Sequence, residues 1–218
     1  MNAIFVAALL AGLSYWLGSR LALDPVLLAA WKSAGVALLA FWAASRARNT
    51  DGWLLAAVMA LGATGDVLIE LAGLQAGAAA FLAGHIVAIT LYLRNRDAER
   101  GWRPLFAIPM VIAVAALLPA DPAAMPPVAL YSLGLATMAA CAAMSRFNIA
   151  AIGAWLFVAS DLLIFARLGP LAGSIIPDLL VWPLYFGGQA MIAWDVSRRA
   201  SAPAPQPRAE PAAARSPR

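Results

Sequence analysis

The sequence has little charge and almost none of the residue types that build covalent cross-links or metal clusters. Its 218 residues include one cysteine, Cys141, and one histidine, His85, and only 12% of the residues are charged. These two residues are too few for a disulfide framework, a cysteine zinc cluster or a multi-histidine metal site. In contrast, 63% of the residues are hydrophobic. Because a soluble domain is about half apolar and about a quarter charged, this composition indicates a protein whose solvent is lipid.

Long apolar stretches divide the chain into candidate membrane spans. A helix that crosses about 30 Å of hydrocarbon needs roughly 20 apolar residues, and the spacing of charges, prolines and glycines predicts eight such stretches. The fold class is therefore expected to be all-α, a polytopic integral membrane helix bundle in residues 1–197. Residues 198–218, rich in alanine, proline and arginine, are expected to form a disordered cytoplasmic tail. The predicted spans are Asn2–Leu17, Val26–Ala44, Trp53–Leu71, Gln75–Leu93, Pro104–Leu118, Pro126–Met144, Ile149–Ala166 and Pro177–Val196.

The basic residues outside these spans are distributed unevenly between alternate loops. One side of the predicted bundle has only Arg20 and Arg167, whereas the other side has nearly all the remaining arginines. The positive-inside rule then places both termini in the cytoplasm, and a bacterial inner membrane is the expected location. Membrane orientation also explains the net charge of +4, so no nucleic-acid partner is predicted.

Two parts of the sequence resemble each other. The segment GDVLI, which contains Asp66, resembles SDLLI, which contains Asp161, and each is followed by a similar helix. In that helix FLAGH aligns with YFGGQ, so that His85 lies opposite Gln189. We therefore predict two four-helix repeats. Because four crossings return the chain to the side of the membrane where it began, both repeats would have the same orientation. The alternative is chance similarity between apolar helices. The predicted halves are residues 1–97 and 98–197.

A few polar residues interrupt the predicted spans at similar depths. A charge at mid-span costs about 2.5 to 3.5 kcal/mol on insertion scales, so such residues usually face the bundle interior and mark a pathway or an active site. At a rise of 1.5 Å per residue, the predicted depths fall in one layer, roughly 8 to 10 Å below the non-cytoplasmic boundary or somewhat nearer the midplane. The members of this layer are Lys32, Asp66, His85, Tyr131, Asp161 and Gln189. Glu70 is the fifth ionisable residue inside the spans, and it lies nearer the surface.

Asp66 and Glu70 are four residues apart and therefore share one helix face. Two carboxylates so close are not both expected to be ionised, so one should keep its proton unless Lys32 or His85 compensates. The alternative is that Lys32 pairs with Asp66 or with Asp161 for purely structural reasons. For Glu70, which is nearest the surface, a structural role is favoured. His85 is expected to form hydrogen bonds or to relay protons rather than to bind a metal.

Taken together, these landmarks resemble the YhhN-like family of membrane proteins, which includes the lysoplasmalogenases. The resemblance covers most of the membrane part and excludes the tail. It is carried by Lys32 and by the segments GDVLIEL with Asp66, FLAGH with Phe81 and His85, YSLGLATM with Tyr131 and Met138, GAWLFVASDLLIF with Ser160 and Asp161, and YFGGQAMI with Tyr185 and Gln189.

The resemblance implies hydrolysis of the vinyl ether of a lysoplasmalogen, a lysophospholipid within the bilayer, without a metal or an organic cofactor. The products would be a fatty aldehyde and glycerophosphoethanolamine or glycerophosphocholine. Our hypothesis is that Asp66 and Asp161 act together, one as the acid that protonates the vinyl carbon and the other as the carboxylate that stabilises the cation and activates water. Either could be the acid. The expected substrate-binding or tuning residues are Lys32, Glu70, His85, Tyr131, Tyr185 and Gln189.

Three other functions are compatible with the same residues. A transporter or channel could use the carboxylates and Lys32 as a relay, although the polar residues lie mainly in the non-cytoplasmic half, which favours an enzyme with one-sided access. A lipid-binding membrane protein without catalysis would bind lysolipid intact. A related hydrolase would act on another lysolipid or ether lipid.

Overall fold

The chain folds into helices joined by short links. The computed structural model describes residues 3–21 and 23–200, and within them it contains eight α-helices, two short 3-10 helices and no β-strand. The prediction of an all-α protein is therefore confirmed. The helices are α1 (Ala3–Gly18), α2 (Pro25–Arg46), α3 (Thr50–Ala72), α4 (Leu74–Arg94), α5 (Ala107–Leu117), α6 (Met125–Ala143), α7 (Asn148–Arg167) and α8 (Ile175–Ala200), with 3-10 turns at Arg103–Phe106 and Pro122–Ala124.

Six of the described helices are long and apolar enough to cross a membrane: α2, α3, α4, α6 with its preceding 3-10 turn, α7 and α8. Length and composition thus indicate a multi-pass membrane protein. The other two apolar helices are shorter, Ala3–Gly18 and Arg103–Leu117. With 16 residues, α1 spans about 24 Å at 1.5 Å per residue, which is less than the roughly 30 Å of a hydrocarbon core. The prediction of eight crossings is therefore not confirmed.

Capping residues and one glycine set where the first helices begin. The carboxylate of Asp24 accepts hydrogen bonds from backbone N–H groups in the first turn of α2, and Pro25 starts that helix, where a missing N–H costs nothing. The side chain of Asn49 caps α3 in the same way. Between α3 and α4 the chain reverses at Gly73, whose φ of 90° is a conformation that favours glycine.

The two predicted halves pack against each other through α4 on α6 and through α8 on α2 and α3. Within the second half, α7 and α8 cross closely at Gly153 and Gly188. A Cβ added to either glycine would lie 2.5 Å from the carbonyl oxygen of the other, so the helices approach this closely only because both residues are glycine. The internal repeat itself stays a prediction.

A proline inside α8 ties that helix to α1. Pro183 lacks the N–H that would normally donate to the carbonyl of Leu179. In the structure Trp16 Nε1 donates to this Leu179 oxygen at 3.0 Å. The Trp16 side chain of α1 thus satisfies a backbone acceptor that the proline leaves unpaired, and the end of α1 is held against the start of α8.

The last helix extends beyond the predicted end of the membrane domain. Helix α8 continues to Ala200, three residues past residue 197, which corrects the predicted start of the tail. Two contacts explain the extension: Asn49 Nδ2 donates to the Ala200 carbonyl at 2.7 Å, and Arg199 Nε pairs with Asp195 at 2.8 Å. Residues 201–218 of the predicted tail lie outside the described residues.

The arginine-rich loops meet at one end of the bundle and are joined by hydrogen bonds. Arg94 pairs with Asp51 at 3.0 Å, and Arg146 Nε donates to Asn95 Oδ1 at 2.8 Å. Asp195 accepts hydrogen bonds from two backbone N–H groups at the start of α7. We call this the basic end, and the other end of the bundle the opposite end.

Candidate active site

Two buried tyrosine–aspartate pairs form the centre of the site. The hydroxyl of Tyr185 in α8 donates to Asp66 Oδ2 in α3 at 2.8 Å, and the hydroxyl of Tyr131 in α6 donates to Asp161 Oδ2 in α7 at 2.6 Å. The aspartates are 2% and 5% exposed. Because a buried carboxyl group without hydrogen bonds is costly, each tyrosine compensates one aspartate. The structure thus brings four predicted site residues together as two pairs.

His85 extends the second pair into a chain of three side chains. Its Nε2 lies 3.2 Å from the Tyr131 hydroxyl, and the histidine is buried. The tyrosine has a single hydroxyl hydrogen, which it donates to Asp161. His85 Nε2 is therefore assigned as the donor to the tyrosine oxygen, so that His85, Tyr131 and Asp161 are connected in that order.

Gln189 adjoins the first pair because a glycine faces it. A Cβ added to Gly62 would lie 2.9 Å from Gln189 Nε2 and 3.6 Å from the Tyr185 hydroxyl, so the glycine of α3 leaves room for both groups. The Gln189 side chain also interacts with the Tyr185 hydroxyl. Gln189 is 2% exposed, and its amide nitrogen faces α3.

Aromatic rings pack between the two tyrosine–aspartate pairs. The ring of Tyr185 lies 5.1 Å from Phe157 and 5.7 Å from Phe81, centroid to centroid, and both contacts are edge-on. Phe157 in turn contacts the His85 ring at 5.2 Å. Phe157 is not among the residues predicted from the sequence. A signal was present, however, since Phe157 precedes Asp161 by four residues, and Phe81 precedes His85 by the same spacing.

Lys32 and Glu70 form an ion pair next to the first tyrosine–aspartate pair. Lys32 Nζ contacts Glu70 Oε1 at 2.7 Å, and these side chains are 16% and 40% exposed. This corrects the alternative in which Lys32 pairs directly with Asp66 or Asp161. Glu70 lies one turn nearer the end of α3 than Asp66, so the ion pair retains some contact with the surroundings, which lowers the cost of desolvation. Lys32 still interacts electrostatically with Asp66.

A cavity of about 330 Å³ opens beside the second pair. It lies between α3, α4, α6 and α7, and apolar side chains form most of its wall. Tyr131, Asp161 and Phe81 line it. Gln75 and Asp121 line it too, and neither was predicted as a site residue. The lining residue Leu168 follows Asp161 by seven positions in α7 and its C-terminal cap, about 10 Å of helix. The cavity therefore extends from Asp161 towards the opposite end.

Only one of the two aspartates lines this cavity. Asp66 is not among its lining residues in the described part of the chain, although Asp66 and Asp161 interact electrostatically. Within residues 3–21 and 23–200, no group of three His, Cys, Asp or Glu side chains is placed to hold a metal ion. Reaction without a metal remains an expectation.

Comparison with known families assigns the chain to a family. The YhhN family profile matches residues 27–196, which is most of the chain. The chain belongs to the YhhN family. Every predicted site residue of this YhhN protein, from Lys32 to Gln189, lies within the matched region. A search of the curated proteins and a search of the solved structures each found no match to the chain.

Proposed function

We propose that this YhhN protein is a membrane-embedded hydrolase that cleaves the vinyl ether of lysoplasmalogens. The observation that carries the proposal is that Asp161, held by Tyr131, lines an apolar cavity of about 330 Å³. A carboxyl group with a hydrogen-bond partner, facing a space for a hydrocarbon chain, suits a lipid substrate with a reactive polar bond. Membership of the YhhN family supports a hydrolase of this kind.

The cavity lining suggests how a lysolipid would bind. The apolar wall suits the alkenyl chain, and the polar residues Gln75 and Asp121 suit the glycerol and the headgroup. The lining includes two carboxyl groups and, among the described residues, no lysine or arginine. An ammonium group, as in ethanolamine or choline, would be attracted by Asp121, and the phosphate, which joins that group to the glycerol, would lie between the two.

In the proposed reaction Asp161 donates a proton to the vinyl carbon that is β to the ether oxygen. The resulting oxocarbenium ion accepts a water molecule, and Asp161 takes back a proton from that water. The hemiacetal then collapses to a fatty aldehyde and the free hydroxyl of the glycerol. We assign Asp161 as the acid because it lines the cavity. Asp66 would stabilise the cation electrostatically, and Tyr131 and His85 would hold Asp161 in position.

The test is the release of fatty aldehyde by the purified, detergent-solubilised protein. A lysoplasmenyl lipid should yield aldehyde, and its saturated lyso-ether analogue should not. Asp161→Asn should lower the rate by about 100-fold or more. The control is Asp178→Asn, because Asp178 is 64% exposed and pairs with Arg167. A near wild-type rate for Asp161→Asn would refute the carboxylate mechanism, and solute flux in proteoliposomes without aldehyde would favour the transporter.

The proposal includes a membrane topology with eight crossings and both termini in the cytoplasm of a bacterium. It is supported by the gathering of the arginine-rich loops at one end and by the side-by-side packing of α1 and α5 with longer helices. In a Cys141→Ala background, Arg100→Cys should be protected from an impermeant maleimide on intact cells, whereas Ala120→Cys should be labelled. Equal labelling of both positions would mean that α5 does not cross.

A further inference from the structure

A second, much smaller cavity lies on the other side of Phe81. Its volume is about 20 Å³, and Phe81 lines both this cavity and the larger one. The wall is mainly apolar, but three polar side chains line it: His85, Tyr92 and Gln189. A space of about 10–15 Å³ on this scale is enough for one water molecule, provided that polar partners are present. This cavity meets both conditions.

Two of these polar side chains have an atom without a partner. Tyr92 Oη and Gln189 Oε1 are buried and have no hydrogen-bond partner within the described part of the chain. Buried polar atoms in native proteins are almost always satisfied, by protein or by ordered water. The Gln189 amide nitrogen faces Gly62 and Tyr185, so the oxygen on the other branch of the amide is free to accept a bond. Both unpaired atoms belong to residues that line the same small cavity.

We infer that this cavity is a binding site for a single structural water, bridging Tyr92 and Gln189 beside His85. The water donates to Gln189 Oε1 and exchanges a hydrogen bond with the Tyr92 hydroxyl. Tyr92 follows His85 by seven residues in α4, which is two turns on the same face. Tyr92 is 0% exposed, and its ring contacts Phe147 at 6.4 Å, so the hydroxyl is held in place.

This water lies next to residues that contact both tyrosine–aspartate pairs. On one side Gln189 adjoins Tyr185, which donates to Asp66. On the other side His85 is hydrogen-bonded to Tyr131, which in turn donates to Asp161. Tyr92 is therefore a positioning residue that acts through the water. This role in the reaction rests on the proposed hydrolysis, whereas the water site itself rests on the cavity and its polar lining.

The water site is tested first by stability, which does not depend on activity. Tyr92→Phe removes only a hydroxyl, so the variant keeps its packing. If the water is present, the variant loses its bridge and the midpoint of thermal unfolding should fall by about 2–4 °C. The matched control is Ser132→Ala: Ser132 Oγ is also buried and unpaired among the described residues but lines neither cavity. Its removal should not lower the midpoint.

An unchanged or raised midpoint for Tyr92→Phe would overturn the water site, because deleting a polar atom from a dry cavity relieves an unsatisfied group. A double-mutant cycle adds a second criterion. In a Gln189→Leu background, Tyr92→Phe should cost clearly less than in the wild type, since both residues hold the same water. Additive effects would mean that the two side chains do not share a ligand.

The positioning role is tested separately by kinetics. With a lysoplasmenyl substrate, Tyr92→Phe should lower kcat by about tenfold while KM stays within about twofold, because orientation is lost but the substrate cavity is unchanged. An unchanged kcat together with a lowered unfolding midpoint would refute the positioning role and retain the water. A protein that releases no aldehyde would refute the proposed hydrolysis, and the stability result would still decide the water site.

Discussion

Tyr131 is the residue through which Asp161 is oriented, because its hydroxyl contacts both Asp161 and His85. We expect Tyr131→Phe to preserve the fold, since the ring and its packing remain, and to lower the rate of vinyl ether hydrolysis by about 10- to 100-fold. Aldehyde release by the purified variant measures this. The control is Thr137→Val, which removes a hydroxyl of α6 that donates to the Leu133 carbonyl of the same helix and lies outside the cavity lining. Equal rates for the two variants would remove Tyr131 from the site.

Gly62 is a residue whose missing side chain shapes the site. In Gly62→Ala the new Cβ would lie 2.9 Å from Gln189 Nε2, so the amide must move away from α3 and from Tyr185. We expect a lower unfolding midpoint and reduced aldehyde release, measured on the same preparation. Gly187→Ala is the matched control, because a Cβ there meets nothing within 4 Å. It should stabilise the protein by about 0.5–1 kcal/mol, and a Gly62→Ala protein as stable as this control would contradict the prediction.

At the residue scale the sequence identified most of the site but not its pairing. A charged group is costly in lipid, so a carboxyl group or lysine inside a span faces the bundle interior. Asp66 and Asp161 are therefore recognisable in the sequence as interior residues. Which donor reaches which carboxylate depends on the rotation of each helix, and Lys32 reaches Glu70 instead of either aspartate. Tyr92 was missed because a tyrosine near a helix end also fits an interfacial position.

At the scale of elements, the contact between α1 and α8 depends on a proline. Trp16 Nε1 donates to the Leu179 carbonyl, which Pro183 leaves without a helical donor. Trp16→Phe should therefore cost about 1–2 kcal/mol of unfolding free energy. In a Pro183→Ala background Leu179 regains a backbone donor, so the same substitution should cost clearly less. Denaturation of the four proteins measures the difference, and an equal cost in both backgrounds would show that the indole nitrogen does not serve this carbonyl.

The eight helices were expected from the pattern of apolar stretches, and their bounds agree with the prediction within a few residues. Three details of the helix ends were not predicted. Helix α8 continues to Ala200 because the side chain of Asn49 binds its last carbonyl. The fifth segment begins as a 3-10 turn at Arg103–Phe106, which leaves α5 short. The start of α7 is capped by Asp195 from α8, a partner distant in the sequence.

At the scale of the whole molecule, the substrate cavity extends towards the opposite end of the bundle, away from the arginine-rich loops. With the proposed topology, this end faces the non-cytoplasmic leaflet. Right-side-out membrane vesicles should therefore hydrolyse added lysoplasmenyl lipid faster than inside-out vesicles, because lysolipid crosses a bilayer slowly. Detergent should abolish the difference. A faster rate in inside-out vesicles would contradict either the proposed orientation or the route of entry.

Composition and hydropathy along the chain indicate that the protein is helical, that lipid is its solvent and which polar residues interrupt its apolar helices. These properties follow from local composition and periodicity, because each apolar stretch must satisfy its own backbone as a helix. Tertiary packing sets the remaining features: Tyr185 joins Asp66, Tyr131 joins Asp161, and Asp161 rather than Asp66 lines the large cavity. Such contacts depend on how helices distant in the chain are rotated and packed, and no spacing within one helix specifies that.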